Sequence, residues 1–173
     1  MNPEPPPDTL NEQVGVLRRR EIEARILKPF VAALGERFGD AEVKEVLTGV
    51  VRAAARESGA AMGAQTEQDP TVRDLTESDL TAFAKAWEPW FRGGALEIDE
   101  LERTPDTWSF NVTRCRYAEL YRLLGMTELG ATLSCNRDAA LIEGFDPKVT
   151  FERTQTLMAG ASHCDFRYSK KPR

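Results

Sequence analysis

Apolar residues recur at helical spacing from Leu10 to Leu34, at Val14, Leu17, Ile22, Ile26, Phe30, Val31 and Leu34. They predict one long helix, kinked at Pro29 and stopped at Gly35 or Gly39. Asp40 stands where an N-cap is expected, and Val43, Val46, Leu47, Val50, Val51 and Ala54 mark a second helix whose end Ser58, Gly59 and Gly63 blur. The polar segment Gln65–Arg73, with Asp69-Pro70 as its turn signal, reads as a loop. Thr76 and Asp79 resemble a capping box, and Leu80, Phe83, Ala84 and Trp87 give a third, short helix that Pro89 interrupts. Core packing against a sheet is the simpler role for Trp87 and Trp90.

After Gly93-Gly94 the period changes from 3.6 to two. Leu96 and Ile98 begin one strand, Trp108, Phe110 and Val112 define a second, and Thr104-Pro105-Asp106 is the turn between them. Cys115 follows at a strand-to-helix junction, because Tyr117, Leu120, Tyr121 and Leu124 share a helical face that Gly125 closes. Residues 127–145 give no single pattern. Val149, Phe151, Arg153, Gln155 and Leu157 then alternate with polar neighbours, as do Cys164, Phe166 and Tyr168, and Gly160 lies in the bend between them. The pattern predicts an α+β fold: N-terminal helices, then an antiparallel sheet with covering helices and a C-terminal hairpin.

Composition narrows the picture. A 173-residue chain that is 41% hydrophobic supports one domain. That domain is expected over residues 10–170, mainly helical over 10–92 and sheet plus helices over 93–170. The proline-rich residues 1–9 read as a disordered tail. Neither a membrane-spanning run nor a secretory signal is visible, so a cytoplasmic location is expected. The net charge of −5, with no long basic stripe, argues against nucleic acid as a partner. A small molecule is the expected partner, and a homo-oligomer stays open.

Three cysteines without a C-x-x-C pair favour neither a disulfide framework nor zinc, so no metal and no cofactor are expected. Phosphate-loop, dinucleotide-binding and serine-nucleophile motifs are absent. The residues with chemical potential gather in the last sixty positions: Arg114-Cys115, Cys135-Asn136-Arg137-Asp138, Arg153, and His163-Cys164-Asp165. His163, the one histidine, sits at the hairpin bend, and alternation places it and Asp165 on the face opposite Cys164.

The segments NVTRCRYAELYRLLGMTELGATLSCNRD and GFDPKVTFERTQTLMAGASHCDFRY, with EIEARILKPFVAALGERFG before them, resemble the bacterial L-2-amino-thiazoline-4-carboxylic acid hydrolase family. A more distant similarity runs to 4-vinyl-reductase-like ligand-binding domains, through Gly160, Cys164 and Phe166. Some of those hold zinc through cysteines, and one of their cysteine positions is Thr156 here. The closer resemblance implies a hydrolase acting on a C–N bond of a cyclic amidine: water opens a five-membered isothiourea to give N-carbamoyl-cysteine. Such chemistry needs a nucleophile, a proton carrier and a grip on the substrate carboxylate. Cys115, Cys135 and Cys164 are candidates for a thiolate nucleophile, Cys115 foremost because a helix start lowers a thiol pKa. Asp138 and Asp165 are candidates for activating a water instead. Arg153, Arg137 or Arg114 could bind the carboxylate, and His163 could serve as an acid. The alternative to catalysis is a domain that binds a small ligand without transforming it.

Overall fold

The computed structural model describes residues 9–68 and 79–171. Helix α1 (Leu10–Gln13) is separated from α2 (Val16–Phe38) at Gly15, whose φ of 84° is open to glycine at little cost. The single long helix expected from Leu10 is therefore broken early, while Pro29 lies inside α2 without ending it. Gly39, with φ 93°, is the stop.

Helix α3 (Asp40–Gln68) runs on through Ser58, Gly59 and Gly63. Those glycines are contact points. A Cβ on Gly59 would stand 2.0 Å from the Leu141 carbonyl oxygen, and one on Gly144 would stand 2.1 Å from that of Arg56. They let α3 and α8 (Arg137–Phe145) approach backbone to backbone. Gln65–Gln68 is thus helix rather than loop; Asp69-Pro70, Thr76 and the tail up to Asp8 lie outside the described residues.

Asp79 is itself the N-cap of α4 (Leu80–Ala86), accepting from the Thr81 amide at 2.8 Å. Pro89 falls in the first turn of α5 (Glu88–Phe91), where a missing N–H costs nothing. The left-handed Gly93 and Gly94 then turn the chain into β1 (Leu96–Arg103) and β2 (Thr107–Cys115).

The undecided stretch after Gly125 resolves into α7 (Thr127–Gly130), a π turn (Ala131–Cys135) and α8, preceded by α6 (Arg116–Leu123). Strands β3 (Val149–Glu152) and β4 (Cys164–Lys170) complete an antiparallel sheet of order β1-β2-β4-β3. The fold is α+β, as the pattern predicts.

β3 is shorter than the alternation from Val149 to Leu157 suggests. Past Glu152 the backbone leaves β4 because side chains take over its amides. The Asp165 carboxylate accepts from the Thr154 and Gln155 amides at 3.0 and 2.9 Å, and Cys164 Sγ from the Leu157 amide at 3.1 Å. A 3₁₀ turn (Leu157–Ala159) and the left-handed Gly160 complete the return.

The inward face of the sheet carries Trp108, Phe110, Val112, Phe166 and Tyr168, which join Phe83 and Trp87 in an aromatic core. A second core under α2 collects Ala24, Val51, Ala118, Tyr121, Leu133 and Met158. Cys115 borders both. No helix among the described residues is long and apolar enough to cross a membrane.

Candidate active site

Where the two cores meet, a cavity of about 50 Å³ is left between α2, the sheet and α8. Six of the residues singled out in the sequence line it: Cys115, Cys135, Arg137, Asp138, Arg153 and Cys164. Local structure delivers each. Cys115 ends β2 and caps α6, its sulfur accepting from the Ala118 amide at 3.4 Å. The π turn, with the Asn136 amide reaching back to the Ala131 carbonyl at 3.0 Å, swings Cys135 to the wall just before α8 presents Arg137 and Asp138. Single π turns of this kind recur at functional sites. Arg153 enters from the segment that has left the sheet, and Cys164 from the first position of β4.

Asp138 and Arg153 form the central ion pair, through Oδ2 and Nη1. Arg153 also donates to the Cys135 carbonyl at 3.0 Å, and its guanidinium lies 5.1 Å from the centre of the Phe166 ring. Both Nη groups of Arg153 are thus engaged. The other carboxylate oxygen of Asp138, Oδ1, has no hydrogen-bond partner among the described residues. Burial pushes the Asp138 pKa above the usual carboxylate range, against the pull of Arg153.

Burial also decides the state of the thiols. It pushes Cys115 up to about 11, overcoming the Ala118 amide, and Cys135 up to about 12, with the Asp138 charge adding to the effect. Cys164 is raised for the same reason. The lowering expected for Cys115 at a helix start is present in the geometry but loses to desolvation. All three are thiols at neutral pH.

Arg137 donates from Nε to the Leu133 carbonyl at 2.9 Å, and its Nη groups have no hydrogen-bond partner among the described residues. Burial and the like charge of Arg20 hold its pKa down at about 10. Arg20, from α2, is itself buried and paired with Glu23. Trp87 adds a buried Nε1 donor with no partner among the described residues. Arg20, Tyr117 and Ser134 were missed in the sequence, although all three line the cavity.

Asp165 and His163 do not line it. Burial would raise the Asp165 pKa, but the Thr154 hydroxyl and the Thr154 and Gln155 amides hold it down at about 2. That carboxylate braces the backbone. His163 meets Gln155 Nε2 at 2.9 Å and Ser162 Oγ at 3.0 Å, beside the bend. Arg114 is exposed and paired with Glu97 and Glu119. Thr156 caps the 3₁₀ turn. Among the described residues no three His, Cys, Asp or Glu side chains are grouped so as to hold a metal ion. A wider cleft of about 350 Å³ lies between α2, α3, α4 and α5; Trp90 lines both spaces, but none of the singled-out polar residues lines the cleft.

A buried carboxylate with a free oxygen, beside unpaired guanidinium donors, suits a small polar substrate that must gain and lose protons. The model of the L-2-amino-thiazoline-4-carboxylic acid hydrolase family matches residues 19–168. The chain belongs to that family. It is a hydrolase by that membership, and the match spans every residue lining the cavity. No curated protein matches the chain.

Proposed function

We propose that the cavity opens the ring of 2-amino-thiazoline-4-carboxylate or a close cyclic isothiourea, with an Asp138-activated water as the nucleophile. The observation that carries this reading is the state of the acidic groups: Asp138 has one oxygen fixed by Arg153 and one free, while burial keeps the thiols protonated. On the scale where one water occupies about 10–15 Å³, the cavity of about 50 Å³ holds a few waters, so a heterocycle with its carboxylate enters as the lining side chains part.

In this reading Asp138 Oδ1 takes a proton as the water oxygen bonds to the ring carbon between nitrogen and sulfur, and passes it to the ring nitrogen. The C=N double bond becomes single. Asp138 then moves the hydroxyl proton of the adduct to the departing sulfur as a urea carbonyl forms. The ring bond that breaks is C–S, not the C–N bond first expected; the ring nitrogen stays attached and the product is N-carbamoyl-cysteine. One water is consumed, with no change in oxidation state. Arg137 holds the substrate carboxylate through its free fork, and Arg20 adds positive charge behind it.

The test is incubation of the purified protein with 2-amino-thiazoline-4-carboxylate, following both new thiol and N-carbamoyl-cysteine. Equal release of the two, in proportion to enzyme, is expected. Saturable binding without product would instead favour the ligand-binding role suggested by the distant resemblance.

A further inference from the structure

The outward side of α2 carries a second feature unrelated to the cavity. Ile22, Ile26, Phe30, Leu34 and Phe38 follow one another every four residues, and each exposes between 42% and 62% of its surface. Val46 and Val50, early in α3, expose 62% and 60%. The stripe on α2 is about 24 Å long at 1.5 Å per residue. Summed, the seven side chains expose on the order of 700 Å², and the α2 members form an i, i+4 ridge that winds about 160° round the helix, the kind of ridge that packs into the matching groove of a second helix.

Charge around the stripe is polarised. Its N-terminal end is flanked by the exposed Arg18, Arg25 and Lys28, against Glu21, which pairs with both arginines; Lys28 donates to the Leu124 carbonyl. Its C-terminal end and the start of α3 expose Glu36, Asp40, Glu42 and Glu45, against Arg37 and Lys44. A stripe that is basic at one end and acidic at the other complements a copy of itself turned end for end, which is what a two-fold interface requires. An anionic lipid surface would be repelled at the acidic end.

We infer that the protein forms a two-fold homodimer in which the α2 stripes of two copies pack antiparallel, basic end against acidic end. Sedimentation equilibrium or light scattering on the full chain, up to about 100 µM, should give twice the chain mass. Phe30→Glu, or Ile26→Glu with Phe30→Glu, should weaken dimerisation by at least about 30-fold, with an unchanged circular dichroism spectrum. Glu42→Lys with Glu45→Lys should weaken it too. Adding Arg18→Glu and Arg25→Glu to that variant should restore association, as only the antiparallel arrangement predicts. A wild-type monomer over this range, a dimer indifferent to Phe30→Glu, or a trimer would each overturn the inference. So would a wild-type monomer that dimerises once residues 1–8 are removed, since the tail would then be what covers the stripe.

Discussion

At the scale of single residues, desolvation acts in one direction on every acidic group of the cavity, and the groups differ in what opposes it. Asp138 has an arginine in contact; Cys115 has the Ala118 and Tyr117 amides; Cys135 has the attraction of Arg153, outweighed by the repulsion of Asp138. Asp138 alone among these groups is hydrogen-bonded to a guanidinium, and that contact is what favours its charged form over the thiolates. Cys115→Ser and Cys135→Ser should accordingly keep turnover within about tenfold of wild type. Alkylation of these thiols should speed up about tenfold per pH unit between pH 7 and 10. Loss of more than about a thousandfold with Cys115→Ser, measured by product release, would restore the thiolate mechanism. Residue types and motif spacing make six of the cavity residues legible in the sequence. The helix-start argument for Cys115 misleads, because a dipole effect is local and readable whereas burial is a property of the finished fold. Arg20 stays hidden because it lies more than a hundred positions from Asp138, and nothing in a run of three arginines says which one turns inward.

At the scale of elements, the same glycine reads as a breaker in a sequence and acts as a contact in a structure. Gly59 and Gly63 interrupt a helical pattern, yet α3 continues because those positions face α8, where one added carbon would collide at Gly59 and crowd the Phe145 carbonyl at Gly63. Gly59→Ala should cost about 2–3 kcal/mol in thermal or denaturant unfolding; a neutral result would mean the α3–α8 contact is looser than it stands here. The C-terminal hairpin makes a parallel point. Its alternation is legible and places Cys164 inward and Asp165 outward, but the loss of β3 pairing after Glu152 depends on carboxylate hydrogen bonds that periodicity does not encode. Because the folded Asp165 pKa of about 2 lies below its ordinary 3.8, its contribution is complete above about pH 4. It is lost as pH falls toward 2. Asp165→Ala should lower stability by about 1 kcal/mol at pH 6, discounted for solvent exposure, and the difference from wild type should close near pH 2.

At the scale of the whole molecule, the helices-first, strands-second order sets an N-terminal helix over the inward face of a C-terminal sheet, and the cavity is the gap left where two cores meet. Both halves of the chain are needed to close it. The fold class can be read from the change of period near Gly93, whereas the seat of the cavity cannot, because it depends on how α2 and α8 cross the sheet. The central claim is that Asp138 activates the water. The most direct measurement is the steady-state rate of N-carbamoyl-cysteine formation by Asp138→Asn, with thiazoline binding and melting temperature measured on the same preparation. The expected result is a fall in kcat of about 10²–10⁴-fold with substrate still bound. A folded Asp138→Asn variant that keeps more than about a tenth of wild-type kcat would contradict the claim.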